Sequence, residues 1–310
     1  MTFKSSRFLK VLSIALTIAV TIALLSPTIS HSIPAPPATQ SSDASINDRP
    51  SSTETFIPTN LSTERTLPPN STERGIICSS TGCDERVPMR SNSYPWSAIG
   101  YLKIGDSHCT ATLTHESWIV TSAHCVVDDK TGKITKDPIT FFPNRINKSA
   151  KDSARVTYVV VGTTSDRVAH PKDWAMLKLD KPLGRTYGTI GLKSLPLSQV
   201  LRNPKKFMLA GYSGDFPSAR RYPDLTAGPG YTAGVDAACS ITGEQNDTVL
   251  IHDCDARGGA SGGALMTWIQ GKPYIVAINS AEFTDRRTGE GIENYAIDIV
   301  RVIEWIAKPN

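Results

Sequence analysis

The segment Gly258-Gly-Ala-Ser261-Gly-Gly263 sets one hydroxyl among small residues, where the chain can turn tightly and a substrate carbonyl can come close. Such a loop can expose the serine oxygen and aim backbone N–H groups at an oxygen that is gaining negative charge. A serine hydroxyl is a weak nucleophile. It needs a base that titrates near neutrality, and the base needs a carboxylate to fix its tautomer. His124 meets the first need, closing the apolar run Trp118-Ile-Val-Thr-Ser-Ala-His124 on a turn of small residues. Asp173 meets the second, in His170-Pro-Lys-Asp173-Trp-Ala-Met-Leu177, where an acid leads directly into an apolar run. Cys109, 16 residues before Cys125, is placed to clip the His124 turn.

The elements that must hold these side chains read as strands. Short β-branched and aromatic runs recur between turn signals: 98–104, 118–122, 156–161, 175–179, 207–212, 248–252, 264–269 and 274–280. That spacing predicts an all-β barrel or sandwich for residues 76–310. A hairpin turn is expected at Gln270-Gly-Lys-Pro273. Only the end reads as helical, with Ile297, Val300, Ile303 and Trp305 or Ile306 at helical spacing opposite Asp298, Arg301 and Glu304. The length suits two small β cores joined by a loop-like stretch around 192–204.

The rest of the chain bounds the setting. Its 310 residues carry 33 Lys plus Arg against 29 Asp plus Glu, a net +4 that excludes a strongly basic nucleic-acid binder. Hydrophobic residues at 39% exclude disorder for the bulk of the chain. Lys4, Arg7 and Lys10 precede an apolar run from Val11 to Leu25 and then Ser26-Pro27, the order of a secretory signal peptide over residues 1–32. That run of about 15 residues falls short of the ~20 that span a bilayer. Residues 33–75, rich in Pro, Ser, Thr and Asn, are too polar to pack and read as a disordered spacer or propeptide. The expected location is therefore outside the cytoplasm, extracellular or periplasmic, with no stable membrane association once the signal is cleaved. Six cysteines suit that oxidising setting.

Gly259 to Gly263 also fits the Gly-x-Ser-x-Gly elbow of α/β hydrolases, but those enzymes place a histidine after the serine. All six histidines here (His31, His108, His115, His124, His170 and His252) precede Ser261. Instead, Thr121-Ser-Ala-His124-Cys125, Asp173-Trp-Ala-Met-Leu177, Gly259-Ala-Ser261-Gly-Gly263 and the terminal Val302-Ile-Glu-Trp-Ile306 together resemble the chymotrypsin-like serine peptidases. Ser93-Tyr-Pro-Trp-Ser-Ala-Ile-Gly100 and Leu250-Ile-His-Asp-Cys-Asp255 are similar to the bacterial branch that includes glutamyl endopeptidases. The resemblance implies two six-stranded antiparallel β-barrels, one over about 90–195 and one over about 205–295, and a terminal α-helix over about 296–307. It implies acyl transfer by Ser261, with His124 as base, Asp173 as its orienter, and the N–H groups of Gly259 and Ser261 as oxyanion hole. A protein or peptide is the implied substrate, with no metal or organic cofactor, no nucleic-acid partner and a monomeric enzyme. Cys109–Cys125 and Cys239–Cys254 are the disulfides it suggests, leaving Cys78–Cys83 as a local loop. A zinc site at His108-Cys109 and His124-Cys125 is the competing reading.

Departures from the digestive enzymes carry further expectations. Where trypsin-type zymogens have an acid just before the nucleophile to pair with a freed amino terminus, this chain has Ala260. Processing is still expected near Arg74, ahead of Ile76-Ile77. Six residues before Ser261 stands Asp255, which with Glu282 and Glu293 would favour Arg or Lys before the scissile bond. Asn279 and Ser280 would complete the pocket wall. Asn279 stands where glutamyl endopeptidases use a histidine, so glutamate specificity is the alternative, and a catalytically inactive homologue that serves as a binding module is another.

Overall fold

A computed structural model describes residues 84–165, 167–246, 248–284 and 291–308. The signal, the spacer and the expected Cys78–Cys83 pair lie outside the described residues. Among those residues no helix is long and apolar enough to cross a membrane.

The chain enters through a two-residue strand, β1 (Val87–Pro88). Then come β2 (Ile99–Ile104), β3 (Ser107–His115), β4 (Trp118–Thr121), a small hairpin of β5 (Val127–Asp128) and β6 (Lys133–Ile134), β7 (Ile139–Pro143), β8 (Ala154–Val161) and β9 (Ala175–Leu179). All but β1, β5 and β6 close an antiparallel barrel in the order β2-β3-β4-β9-β8-β7. Alternation drives this closure: Ile139, Phe141 and Pro143 of β7 are buried while the residues between them are half-exposed. The Phe141 ring fills the interior over Gly100 of β2, where any Cβ would fall 2.3 Å from the ring.

The connection between the halves is less loop-like than its composition suggests. It contains α1 (Gly184–Tyr187), β10 (Gly191–Leu192) and α2 (Leu197–Leu201). Leu197 and Val200, three apart on α2, both turn into the second core, and that burial makes a helical turn of a stretch expected to be a loop.

The second half comprises β11 (Phe207–Gly211), β12 (Gly234–Cys239), β13 (Ile241–Gln245), β14 (Val249–His252), β15 (Ala264–Ile269), β16 (Lys272–Thr284) and β17 (Gly291–Asp298). They run β12-β11-β15-β16-β17-β14-β13, with β1 on the outer side of β12. Only Ser240 separates β12 from β13, so one bent stretch supplies both ends of the series. Counted once, that stretch gives the six strands of a second barrel. One pairing departs from the antiparallel expectation, since β10 runs parallel to β16. The β15–β16 turn is also tighter than expected. Gln270 and Gly271 alone make it, both at positive φ, while Lys272 and Pro273 already pair with Ile269 and Trp268.

The terminal helix, α3 (Val300–Ile306), starts later than its apolar spacing predicts. Ile297 belongs instead to β17, fully buried between Ile278 and Val249, and Asp298 Oδ1 accepts the Val300 N–H at 2.8 Å to begin the helix. Although α3 follows the second barrel, its Trp305 packs on Trp118 of β4 and on Trp174, at ring-centroid distances of 6.3 and 5.9 Å. The helix thus ties the second barrel to the two segments of the first that carry His124 and Asp173. Trp305→Ala should lower unfolding stability by about 2 kcal/mol in urea titration, below the usual cost for a tryptophan because the ring is only part-buried.

Candidate active site

Pairing of β4 with β9 brings the first two candidate residues together. Thr121 at the end of β4 pairs with Ala175 at the start of β9. In an antiparallel pair the chain leaving one strand and the chain entering the other emerge at the same end. His124 lies three residues past Thr121 and Asp173 two before Ala175, so both leave the barrel at that end.

Asp173 has no exposed surface. Its Oδ1 accepts the His124 backbone N–H at 2.9 Å, and its Oδ2 accepts His124 Nδ1–H at 2.8 Å and the Ser280 hydroxyl. With the proton on Nδ1 facing the carboxylate, Nε2 carries the lone pair that a base needs. The Cys109–Cys125 disulfide, with sulfurs 2.04 Å apart, joins β3 to the turn that holds His124. That bond takes up both thiolates on which the zinc reading depends.

Ser261 arrives from the second barrel on a loop that is fastened to the first. Thr110 of β3 donates its N–H to the Ser261 carbonyl at 2.8 Å and its hydroxyl to the Gly259 carbonyl at 2.9 Å. The Gly262 N–H meets the Asn279 carbonyl at 2.7 Å. Gly262 has φ +80°, and a Cβ there would lie 2.0 Å from Thr121 Oγ1, so only glycine lets the loop press against β4. Gly259, at φ +98°, is as tightly placed against His108 and the Tyr212 carbonyl. Among the described residues, the N–H groups of Gly259 and Ser261 have no hydrogen-bond partner, whereas the intervening Ala260 N–H is bonded to the Arg257 carbonyl at 2.8 Å.

The Ser261 hydroxyl lies 3.5 Å from the Ser280 carbonyl, at the outer limit of a hydrogen bond, and is weakly held. Ser280 therefore touches Asp173 through its side chain and Ser261 through its backbone. Sequence reading placed Ser280 in a pocket wall; the structure turns its hydroxyl to Asp173, where it also accepts the Ala169 N–H at 2.8 Å. Thr110 escaped sequence reading altogether, since a threonine in an apolar strand carries no local sign of the loop it will meet.

The residues expected to line a specificity pocket are dispersed. Asp255 is 3% exposed, accepts the Glu85 N–H, and donates its own N–H to Asp236 Oδ2 at 2.9 Å. Its carboxyl thus faces the entering N-terminal segment. Asn279 turns its side chain to buried His252, accepting Nε2–H at 3.1 Å. Burial holds His252 down to about 4, so it is uncharged at neutral pH. Glu282 and Glu293 are both half-exposed on the β16–β17 hairpin just beyond Ser280, but the register pairs Glu282 with Asn294 and Glu293 with Phe283, which puts their side chains on opposite faces, Glu293 accepting the Tyr295 hydroxyl. The Cys239–Cys254 disulfide, with Cα atoms 4.8 Å apart, braces the strand ahead of Asp255.

Two barrels with a serine, a histidine and a buried aspartate gathered between them define the class: a serine-type peptidase of chymotrypsin-like fold. The Trypsin family model matches residues 85–306, and the chain belongs to that family. It is 23% identical over 253 residues to "CLIP domain-containing serine protease B4" of Anopheles gambiae, covering 71% of this chain and 68% of that protein. It is 27% identical over 197 residues to human "Serine protease 23", covering 56% and 45%. The chain thus spans about two thirds of the first relative and under half of the second. Among solved structures, a Glu endopeptidase in complex with MPD aligns with a TM-score of 0.55 at 20% identity, over 71% of this chain and 95% of that one. Protease Anisep from Arthrobacter nicotinovorans aligns with a TM-score of 0.53 at 15% identity, over 69% and 96%.

Asp255 and Asp236 give stability a pH dependence. Burial, reinforced by Asp236, pushes the Asp255 carboxyl well above the ordinary carboxylate range, and burial raises Asp236 as well. Both are raised above the ~4 of an unfolded chain, so above that pH the folded state holds more protons than the unfolded one and loses stability as pH rises until the pair is ionised. Urea titrations should show the parent less stable at pH 8 than at pH 5, and Asp255→Asn should flatten the upper part of that fall. An equal slope in the variant would remove Asp255 as its source.

Proposed function

We propose that the protein is a secreted serine endopeptidase in which Ser261, His124 and Asp173 act as a triad. Ser261 Oγ turns from the Ser280 carbonyl toward His124 Nε2 and attacks the substrate carbonyl carbon. His124 takes the hydroxyl proton, and Asp173 stabilises the imidazolium that results. As the tetrahedral intermediate collapses, His124 gives that proton to the leaving amine. A water activated by the same imidazole then cleaves the acyl–Ser261 ester. The N–H groups of Gly259 and Ser261 receive the oxyanion, a reading supported by their lack of protein partners in a loop whose neighbouring N–H is bonded. The observation that carries the proposal is the doubly bonded His124–Asp173 pair at the edge of the loop bearing Ser261.

For specificity we favour Arg or Lys before the scissile bond, read by Glu282, two residues past Ser280 on β16, whereas Glu293 turns to the opposite face with Tyr295. Asp255 drops out of that role, because its carboxyl is buried against the Glu85 N–H and burial disfavours its charged form. Secretion is supported by the signal-like first 32 residues and by two disulfides in the catalytic half of the chain.

A fluorophosphonate should label the processed protein at Ser261, and Ser261→Ala should abolish the label. Failure of the parent to label would favour an inactive binding homologue. Asp173→Asn should lower kcat by about 10⁴-fold with KM little changed. On a fluorogenic panel, Arg and Lys peptides should be cleaved fastest, and Glu282→Gln should erase that preference while Glu293→Gln leaves it. Faster cleavage of Glu peptides would sink the basic reading. Amino-terminal sequencing should place the mature start just after Arg74.

A further inference from the structure

The oxyanion loop of this chain carries Ala260 just before the nucleophile, so it has no carboxylate there to hold it in shape. The structure offers a different anchor at the start of the described chain. Arg86, 1% exposed, grips two carboxylates at once. Its Nε and Nη2 reach Asp84 at 2.8 and 3.2 Å, and its Nη1 and Nη2 reach Asp215 at 3.0 and 2.7 Å. The guanidinium also lies 5.1 Å from the centre of the Phe216 ring. Arg221 joins from the other side, bonding Asp84 and the carbonyls of Asp84 and Arg86. Burial alone would raise the Asp84 carboxyl, but Arg86 and Arg221 outweigh it and hold it below its ordinary value.

Asp215 matters because of its neighbour. The Gly214 N–H donates to the Gly258 carbonyl at 2.7 Å. The Gly258–Gly259 peptide is not among the cis bonds of the chain, and in a trans peptide the C=O and the following N–H point in opposite directions. While Gly214 holds the Gly258 carbonyl on its side, the Gly259 N–H must point the other way, and it is one of the two unpartnered donors of the site. Asp215 also faces Arg257 of the same loop, with Nη1 to Oδ2 at 3.8 Å. One residue before Arg86, the Glu85 N–H is bonded to Asp255, which opens the loop. The segment is held in turn by β1 pairing with β12.

We propose that Arg86 is a positioning residue for catalysis: through Asp215 and Gly214 it fixes the direction of the Gly258–Gly259 peptide, so that the N-terminal segment sets the oxyanion hole. The proposal rests on the acyl-transfer reading of Ser261. It makes an internal arginine, rather than a freed α-amino group, the cation that holds the hole in shape.

Arg86→Ala and Asp215→Asn test it, the second keeping the size of a side chain whose loss of charge alone is at issue. In folded protein, kcat should fall about 10²-fold, as when one oxyanion donor is removed, with KM within threefold. Affinity for a peptide aldehyde should fall in step with kcat. Guanidinium ion should restore much of the activity of Arg86→Ala and none of that of Asp215→Asn, and the double variant should be no slower than the slower single one. A crystal structure of either variant should show the Gly258 carbonyl released from Gly214. The idea is overturned by a kcat within threefold of the parent, by losses in the two variants that add, or by a Gly258–Gly214 bond intact in the crystal. Where Arg86→Ala does not fold, Asp215→Asn decides on the same readouts. Absence of fluorophosphonate labelling in the parent would instead overturn the acyl-transfer reading, and the crystal structure would still decide what Arg86 positions.

Discussion

A carboxyl group with no exposed surface must find its hydrogen bonds inside the protein, and Asp173 finds three. Two come from His124 and one from Ser280, so the first barrel and the second both supply donors to a single side chain. An unsatisfied buried carboxylate would cost several kcal/mol. The barrels therefore cannot slide relative to each other without exposing that cost, and the geometry around Ser261 follows from where Asp173 holds them. Trp305 adds an apolar counterpart, reaching from the chain's last helix to Trp118 and Trp174 behind the same two segments.

The nucleophile loop depends on the same cross-barrel logic. Thr110 bonds the carbonyls of Gly259 and Ser261, and its hydroxyl accepts the Tyr212 N–H at 2.8 Å. Carbonyls on one side of the loop are thus occupied by the protein, while the N–H groups of Gly259 and Ser261 have no hydrogen-bond partner among the described residues. Glycine at 259 and 262 is the condition for this approach, because a side chain at either place would collide with β3, β4 or the Tyr212 carbonyl. The N-terminal segment also reaches this loop, through Arg86 bonded to Asp215 and the Gly214 N–H bonded to the Gly258 carbonyl.

Much of this was legible in the chain because the pieces are local. The apolar run ending at His124, the acid leading into Trp174 and the glycine-flanked Ser261 each announce a strand end or a tight turn. The β9 and β15 strands were predicted to the residue for the same reason. What escaped reading depends on partners far away in sequence. Ser280 looked like a wall residue until β16 was seen to pass Asp173, 107 positions earlier. Asp255 looked like a pocket acid until the entering segment, 170 positions before it, covered its carboxyl. Arg86 sits in a short polar stretch with no periodicity, and nothing local distinguishes it from a solvated linker residue. Ile297 shows the converse: its helical spacing is real, but the edge of β14 claims it for a strand.

The account stands or falls on whether Ser261 forms an acyl intermediate. Mixing processed enzyme with an excess of a p-nitrophenyl ester should release one equivalent of p-nitrophenol in a burst, and mass spectrometry of the quenched protein should place the acyl group on the Ser261 peptide. Linear release with no burst, together with an unmodified Ser261 peptide at saturating ester, would contradict it.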